Sequence, residues 1–474
     1  MKILKPDFYD TFVCTASRCQ DTCCAGWEIE IDEDTCRKYR QAEGSFGRLL
    51  RSRISEEEDG DYFILAPGRR CPFLNENNLC DIYINLGEDM LCDICREHPR
   101  FYQWFGEYTE TGLGLCCEEV CRLLFERKMP VKFVLSGKGE TEGGEEDPLL
   151  APLLRARETA FSILQCREYS VSRRTAAFLK FASALDLPVR QEDVQAILQT
   201  AGIPAGDWLR QTGGEADREW CGREAKIRQL LELYQGLESL DGTFGVRMNS
   251  LQDQLPELLQ KREEFLERFR DREQEYEHLL VYFTYRYFME ALFDGCVLPP
   301  ARFAAASLLV IQLMDTELWL RRGDFSPADR IFTAKLYSKE IEYCPENMEA
   351  IRKFLEREDM PYSEKQEKLF REQARLVCGR QAAYYARLMG VEYGGIAIKN
   401  TKTRWGSCSS LGNLNFHWKL VLMPPAILDY VVVHELAHRK QMNHSPAFWA
   451  EVEKILPDYR ERRKWLKEHG KDYM

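Results

Sequence analysis

Cysteine is distributed unevenly along this chain, and the distribution limits what the first quarter can fold into. The sequence has 18 cysteines, and twelve of them lie at or before Cys121. The first residues contain no apolar signal region and no small-residue cleavage site, so we expect no signal peptide and a cytoplasmic location. Thiols in a reducing compartment stay reduced or bind metal rather than form disulfides. The N-terminal region is therefore predicted to be a metal-binding module.

The N-terminal cysteines form four groups along the sequence, and thiolates at this density suit zinc or an iron–sulfur cluster. The groups are Cys14, Cys19, Cys23 and Cys24; Cys71 and Cys80; Cys92 and Cys95; and Cys116, Cys117 and Cys121. This is not the paired CxxC spacing of a zinc ribbon, so spacing alone does not choose the metal. Reduced structural thiols are the alternative. The remaining six are interpreted as small buried hydrophobic residues, namely Cys166, Cys221, Cys296, Cys344, Cys378 and Cys408.

The length of 474 residues suits two or three domains, and we predict an α+β multidomain protein. The cysteine-rich module covers 1–135, a linker follows over 136–148, and a mainly helical domain covers 149–357. A second linker over 356–364 precedes a small α+β domain over 362–474. Aromatic residues at 282–288 are predicted to be core, and the charged stretch 230–276 is predicted to form long solvated helices.

Charge and hydropathy limit the partners of this chain. The formal net charge is -12, which argues against a nucleic-acid partner for the whole protein. No run of 18 or more apolar residues occurs, so no membrane-spanning helix is expected.

The last domain is predicted to alternate helices and short strands. Residues 364–389 have the pattern of an amphipathic helix, and 397–399 and 403–408 of short strands. Apolar and polar residues alternate around Leu414, Phe416 and Trp418, which predicts a half-buried strand over 413–422. A helix is expected from 426 to about 440, and Ser445-Pro446 is typical of an N-cap that opens another helix.

Three of the seven histidines occur in the short segment that contains His434-Glu435-x-x-His438 and His444. Positions i and i+4 share one face of a helix, so His434 and His438 are placed to bind one metal ion, with His444 as the third ligand. Three protein ligands and an open position are typical of a catalytic zinc site. Glu435 is the candidate general base for a bound water. The predicted strand 413–422, as an edge strand, would pair with an extended peptide substrate.

Several separated motifs around this site carry a family resemblance. They are RWGSC at 404–408, Pro424-Pro425, DYVVVHELAH at 429–438, Asn443-His444-Ser445, Phe448-Trp449 and LPDY at 456–459. Together they resemble the YgjP-like zinc metallopeptidases, which are relatives of the SprT-like proteases. The resemblance covers about 360–470. It implies a small zincin-like α+β domain with zinc on His434, His438 and His444.

A second resemblance covers about 1–355. Its motifs are the cysteines at 14, 19, 23 and 24 with Ala25-Gly26-Trp27, CPFL at 71–74, Cys80, LGE at 86–88, Cys95, Pro99-Arg100, Cys116, and matches near 165–167, 276–288 and 340–347. These look like the flagellin lysine N-methylase family. The resemblance implies S-adenosylmethionine-dependent methyl transfer to flagellin lysines, with an iron–sulfur cluster, of the 4Fe-4S kind.

The cysteines that this resemblance carries over exceed the four that one cubane cluster needs. They are Cys14, Cys19, Cys23, Cys24, Cys71, Cys80, Cys95 and Cys116. Our provisional choice of four ligands is Cys19, Cys23, Cys71 and Cys95, and no residue is assigned to the methyl donor. Outside the family's pattern lie Cys36, Cys92, Cys117 and Cys121.

The predicted protein is thus a fusion of a protein-lysine N-methylase with a zinc peptidase. Its partners would be protein substrates, flagellin-like for methylation and peptides or unfolded protein for cleavage. One alternative makes the N-terminal region a redox or recruitment module without methylase activity. Another makes the last domain a zinc-bound adaptor without turnover.

Overall fold

One four-stranded sheet contains strands from both the start and the end of the cysteine-rich region. This computed structural model describes residues 2–20, 22–57, 60–106, 108–137, 147–212, 224–240, 242–356, 364–400, 404–409 and 411–470. The sheet has the strand order β5-β6-β1-β7, and β1 runs parallel to β6 and antiparallel to β7. Its strands are β1 Lys2–Pro6, β5 Arg100–Phe105, β6 Tyr108–Leu113 and β7 Phe133–Ser136. Most of each predicted linker, at 138–146 and at 357–363, lies outside the described residues.

A smaller three-stranded sheet, with the order β2-β4-β3, also lies in the cysteine-rich region. Its strands are β2 Glu30–Ile31, β3 Ile54–Glu57 and β4 Gly60–Phe63. The helices of the region are α1 Glu33–Gln41, α2 Gly44–Arg51, α3 Asp81–Leu86, α4 Asp93–Glu97 and α5 Glu118–Phe125. Tyr39, Leu50, Phe63, Phe73 and Ile82 form its core with three buried thiols.

Twelve α-helices are described between residues 147 and 356, so the prediction of a mainly helical region is confirmed. The first six are α6 Leu150–Leu164, α7 Val171–Arg190, α8 Val194–Ala201, α9 Ala205–Arg210, α10 Glu224–Gln235 and α11 Thr243–Asp253. The others are α12 Leu255–Arg268, α13 Glu273–Tyr287, α14 Ala291–Asp294, α15 Leu298–Arg322, α16 Pro327–Ile341 and α17 Pro345–Glu356. Single 3-10 turns occur at Tyr9–Thr11, Ala16–Arg18, Glu88–Met90, Arg270–Arg272 and Phe288–Glu290.

The aromatic block in α13 is core, as predicted. Tyr282, Phe283, Tyr285 and Tyr287 are buried, and the Tyr285 hydroxyl donates to the carbonyls of Leu4 and of Thr111 in the first sheet. The buried Arg157 of α6 also pairs with Glu110 of β6. One hydrophobic core therefore includes residues of this sheet and of the helices that follow it.

The charged stretch 230–276 does not form long solvated helices, so that prediction was wrong. Four shorter helices, α10 to α13, cross it and bury part of their surface. Charged residues near its end have distant partners: Glu275 pairs with Arg330, and Glu277, just beyond the stretch, pairs with Arg174. A charge that is paired in this way can lie in the interior.

One described helix is long and apolar enough to cross a membrane by length and composition. This is α15, and 94% of its most apolar window is buried inside the protein. The core helix of a soluble protein passes the same test, so the finding is weak evidence for a membrane span.

The C-terminal region packs a three-stranded sheet against a layer of helices. Its helices are α18 Glu364–Met389, α19 Pro425–Ala437, α20 Pro446–Ile455 and α21 Tyr459–His469. The strand order is β8-β10-β9, with β8 Ile396–Lys399, β9 Gly406–Cys408 and β10 Leu414–His417. Leu187 of α7 belongs to the same hydrophobic core, which joins this region to the helices before it.

The predicted edge strand over 413–422 needs correction. The extended part is β10 alone, and a 3-10 helix over Trp418–Leu422 follows it. β10 is also the central strand, because β8 pairs with one side of it and β9 with the other. The alternation of apolar and polar residues within one segment can indicate a strand. It does not indicate which other strands will pair with its two sides.

Candidate functional site

The helix α19 positions the HExxH motif. It begins with Pro425 at its first turn, where a missing N–H costs nothing, and ends at Ala437 with His438 as the C-cap. Ile427, Leu428, Val431–Val433 and Leu436 are buried, which fixes the rotation of the helix against α18 and the sheet. His434 and His438 therefore lie one turn apart on one face.

The three histidines of the segment converge. One ring nitrogen from each of His434, His438 and His444 lies within 4.8 Å of the other two. The Nε2 atoms of His434 and His444 are 3.0 Å apart. Zinc bonds imidazole nitrogen at about 2.0–2.1 Å, and tetrahedral ligands at that length are about 3.4 Å apart. The arrangement therefore fits one zinc ion with little movement.

Neighbouring groups orient these imidazoles. His438 Nδ1 lies 3.2 Å from the Gln441 carbonyl, so an Nδ1–H donates there and leaves Nε2 for a metal. Ser445 caps α20 by accepting from the Phe448 N–H, as predicted, which fixes the turn after His444. The Phe448 ring centroid lies 4.6–4.9 Å from those of all three histidines. Sequence analysis identified Phe448 only as part of a family motif; its contact with the imidazoles depends on how α20 packs back against α19.

Burial favours neutral imidazoles at this site. Burial and the neighbouring His438 and His444 lower the pKa of His434 to about 3. Burial also lowers the pKa of His438. Neutral imidazole is the form that binds metal.

Glu435 points its carboxylate at the edge strand β9. Burial raises its pKa to about 7, while Arg404 and the Cys408 backbone N–H oppose that shift. A β-carbon on Gly406 would lie 2.6 Å from Glu435 Oε1, a distance that real β-carbons do not show. The absence of a side chain at Gly406 therefore makes room for this carboxylate, a role that the RWGSC motif alone did not reveal.

The cysteines carried over by resemblance fall into two neighbourhoods and one outlier. Burial and the charges of Cys24, Cys80 and Cys92 raise the pKa of Cys71, and Cys24 also acts on Cys80 and Cys95, so these thiols lie near one another. The sulfur of Cys92 is 3.3 Å from that of Cys95. Cys14, Cys19 and Cys23 form the other neighbourhood together with Cys117. The provisional four ligands are thus divided between the two.

Cys116 is the outlier. Its buried sulfur lies 3.8 Å from His98 Nε2 and interacts with the Tyr343 hydroxyl. Among the described residues, no three cysteine sulfurs lie within 4.8 Å of one another. Cys92 and Cys117 lie in these neighbourhoods although both are outside the family's pattern. For Cys92, the available sequence signal was its C-x-x-C spacing with Cys95.

A further group joins Glu238, Cys344 and Glu346. Glu238 and Glu346 are exposed, and the Cys344 thiol donates to Glu346 at 3.4 Å. Exposed acidic groups of this kind are common without an ion, and we assign it no role.

Comparison with known families identifies two regions. The model of the YgjP-like metallopeptidase domain matches residues 337–469, which contain all three histidines. The model of the FliB lysine N-methylase C-terminal domain matches residues 157–363. The chain carries both domains. The two matches overlap over 337–363, and both begin after the cysteine-rich module.

Curated relatives agree with the second match. The lysine-N-methylases of Salmonella typhimurium and Salmonella choleraesuis are each 28% identical over 124 residues, which is 25% of this chain and 31% of the relative. The flagellar biosynthetic protein FliU of Salmonella muenchen is 28% identical over 124 residues, 25% of this chain and 73% of that protein. The chain thus spans about a third of the length of the two methylases. No solved structure matches.

Replacing His444 with alanine should lower zinc affinity by more than about 100-fold. Removing a residue that only hydrogen-bonds to a metal ligand already lowers metal affinity by about 10–100-fold, and His444 is a candidate ligand itself. Zinc retained after dialysis against a chelator should fall by one ion per chain relative to wild type. His469→Ala, at the exposed end of α21, is the control and should retain it. Equal zinc in both variants would remove His444 from the ligand set.

Proposed function

We propose that the C-terminal domain is a zinc-dependent peptidase. The convergence of three imidazole nitrogens within 4.8 Å, with a buried carboxylate beside the first ligand, carries this proposal. The YgjP-like metallopeptidase match over the same residues supports it. A zinc ion held by these three nitrogens would have a fourth tetrahedral position open, which a structural zinc site would fill with a protein ligand.

His434, His438 and His444 would hold the zinc. Zinc, when bound, polarises a substrate carbonyl and lowers the pKa of water in the open position. Glu435 then accepts the proton of the attacking water and passes it to the leaving amine as the peptide bond breaks. Burial suits Glu435 to this exchange, because an ordinary exposed glutamate holds a proton too weakly at neutral pH.

The edge strand β9 is the candidate docking strand for the peptide. β10 occupies one side of β9, and among the described residues no strand pairs with its other side. The Cys408 N–H that interacts with Glu435 brings the candidate base next to this strand. An extended peptide that added to β9 would therefore pass close to Glu435, with main-chain hydrogen bonds supplying affinity.

Glu435→Gln should keep zinc and lose peptide hydrolysis. The amide preserves shape but cannot accept the proton, and a general base contributes about 100- to 10,000-fold in rate. The assay is cleavage of an unstructured protein, with chelator addition as the control for zinc dependence. Cleavage at the wild-type rate would refute Glu435 as base. Zinc binding without any chelator-sensitive cleavage by the wild-type protein would favour the zinc-bound adaptor instead.

Gly406→Ala should slow hydrolysis by about 100-fold, the cost of displacing a catalytic group by about 1 Å. Its β-carbon would collide with the Glu435 carboxylate. Gly395→Ala is the matched control, because its β-carbon would meet only Asn413, at 3.7 Å. Equal hydrolysis rates in the two variants would show that hydrolysis does not depend on the position of the Glu435 carboxylate.

We also propose that the preceding region is an S-adenosylmethionine-dependent protein-lysine N-methylase that acts on flagellin-like proteins. The FliB domain match over 157–363 and the lysine-N-methylases of Salmonella support this proposal. In the reaction, a neutral lysine amine attacks the methyl carbon, and the sulfonium sulfur leaves as a thioether. The cysteine-rich module would hold an iron–sulfur cluster, which supplies a one-electron centre when bound.

Calorimetry with S-adenosylmethionine separates this proposal from a redox or recruitment module. The full chain, purified anaerobically, should bind the donor and transfer a labelled methyl group to lysines of flagellin. The Glu435→Gln variant should do so equally, because its change lies in the other domain. A chain that binds no donor but retains its metal would favour the recruitment module.

A further inference from the structure

Nine cysteines of the N-terminal module sort by position in space into two sets, which sequence order does not reveal. The first thiol set contains Cys24, Cys71, Cys80, Cys92 and Cys95. The second thiol set contains Cys14, Cys19, Cys23 and Cys117. Each set has enough thiols for a four-coordinate centre.

Backbone contacts hold the first thiol set together. The Cys71 N–H donates to the Cys24 carbonyl at 2.8 Å, and a bridge between Leu74 and Cys80 closes the loop that starts at Cys71. Cys92 and Cys95 lie in one helical turn with their sulfurs 3.3 Å apart. The sulfur of Cys71 interacts with those of Cys24, Cys80 and Cys92, and the sulfur of Cys95 with that of Cys71.

The first set also receives backbone N–H groups. Cys80 is the N-cap of α3 and Cys92 the N-cap of α4. The N–H groups of Ile82 and Tyr83 interact with the Cys80 sulfur, and that of Cys95 with the Cys92 sulfur.

The second thiol set is assembled from two distant segments. Cys117 is the N-cap of α5, and its sulfur interacts with those of Cys14, Cys19 and Cys23. The Gln20 N–H donates to the Glu118 carboxylate at 3.0 Å, which fastens the Cys19 loop to the start of α5. The Ala16 N–H donates to the Cys14 sulfur at 3.4 Å.

The two sets meet at the adjacent residues Cys23 and Cys24: Cys24 raises the pKa of the Cys23 thiol, and Cys23 lowers that of Cys24. Cys116 belongs to neither set, although the family pattern includes it, because its sulfur is engaged with His98 and Tyr343. Cys117, which the pattern lacks, takes part instead.

We propose that this module holds two adjacent thiolate metal centres, one on each thiol set, joined through Cys23–Cys24, and that Cys116 is not a ligand. The inference deepens the proposed cluster but does not depend on methylase activity. All the donors are thiolates, which select zinc or an iron–sulfur cluster. The sulfurs of a single zinc lie about 3.8 Å apart, given Zn–S bonds of about 2.3 Å. No three sulfurs in the described residues are this close, so the spacing argues against a single zinc ion and for a multi-iron centre in either set.

The test is iron, zinc and acid-labile sulfide per chain in the full-length protein, purified anaerobically. Two centres predict iron and sulfide for two clusters, about eight of each for two cubanes. Iron and sulfide for one cluster, with zinc only at the histidine site, would overturn the proposal. A cysteine-rich module without bound metal would also refute the proposed iron–sulfur cluster. It would not refute methyl transfer, which is tested separately with S-adenosylmethionine and flagellin.

Variants distinguish the two sets. Cys117→Ser leaves three thiols in the second set, and the double change Cys92→Ser with Cys95→Ser leaves three in the first. Each should lose one centre and keep the other, whereas Cys116→Ser should keep both. Loss of all thiol-bound metal, or of none, in Cys117→Ser would contradict two centres, and loss in Cys116→Ser would contradict its exclusion. Unchanged circular dichroism and zinc at the histidine site show that each variant is folded.

Discussion

Burial of the apolar face of α19 is the interaction on which the candidate peptidase site depends. Ile427, Leu428, Val431–Val433 and Leu436 lie in the core of the last domain, so the helix has one allowed rotation. That rotation turns His434 and His438 toward the return of α20, where Phe448 contacts all three imidazoles. The same rotation places Glu435 against the edge strand β9. Hydrophobic packing thus decides the geometry of the polar groups.

The chain uses two different donor chemistries in separate places. Three imidazoles meet at the C-terminal site, whereas thiols are concentrated in the N-terminal module. An open, nitrogen-rich site suits hydrolysis, while all-thiolate sites suit electron transfer or structural support. The helical region connects the two: it shares one core with the first sheet and contributes Leu187 to the core of the last domain.

The sequence predicted those features that depend on residues within a single segment of the chain. The i,i+4 histidines, the Ser445 cap and α18 follow from spacing and turn chemistry within one segment. Features set by distant contacts were missed. Glu275 and Arg330 pair across 55 residues, which buries charge that was predicted to be solvated, and β10 is central because β8 and β9 pair with its two sides. Cys117 lies near Cys14 and Cys19 for the same kind of reason, since the Gln20 N–H donates to Glu118 in the first turn of α5.

Anomalous X-ray diffraction at the zinc absorption edge, from crystals of the full chain, tests the central claim most directly. The account predicts an anomalous peak between the imidazole nitrogens of His434, His438 and His444, about 2.0–2.1 Å from each. It also predicts a fourth ligand that is not a protein atom. Zinc found elsewhere in the crystal with no peak at this position, or a fourth protein ligand closing the site, would contradict a catalytic zinc centre in the last domain.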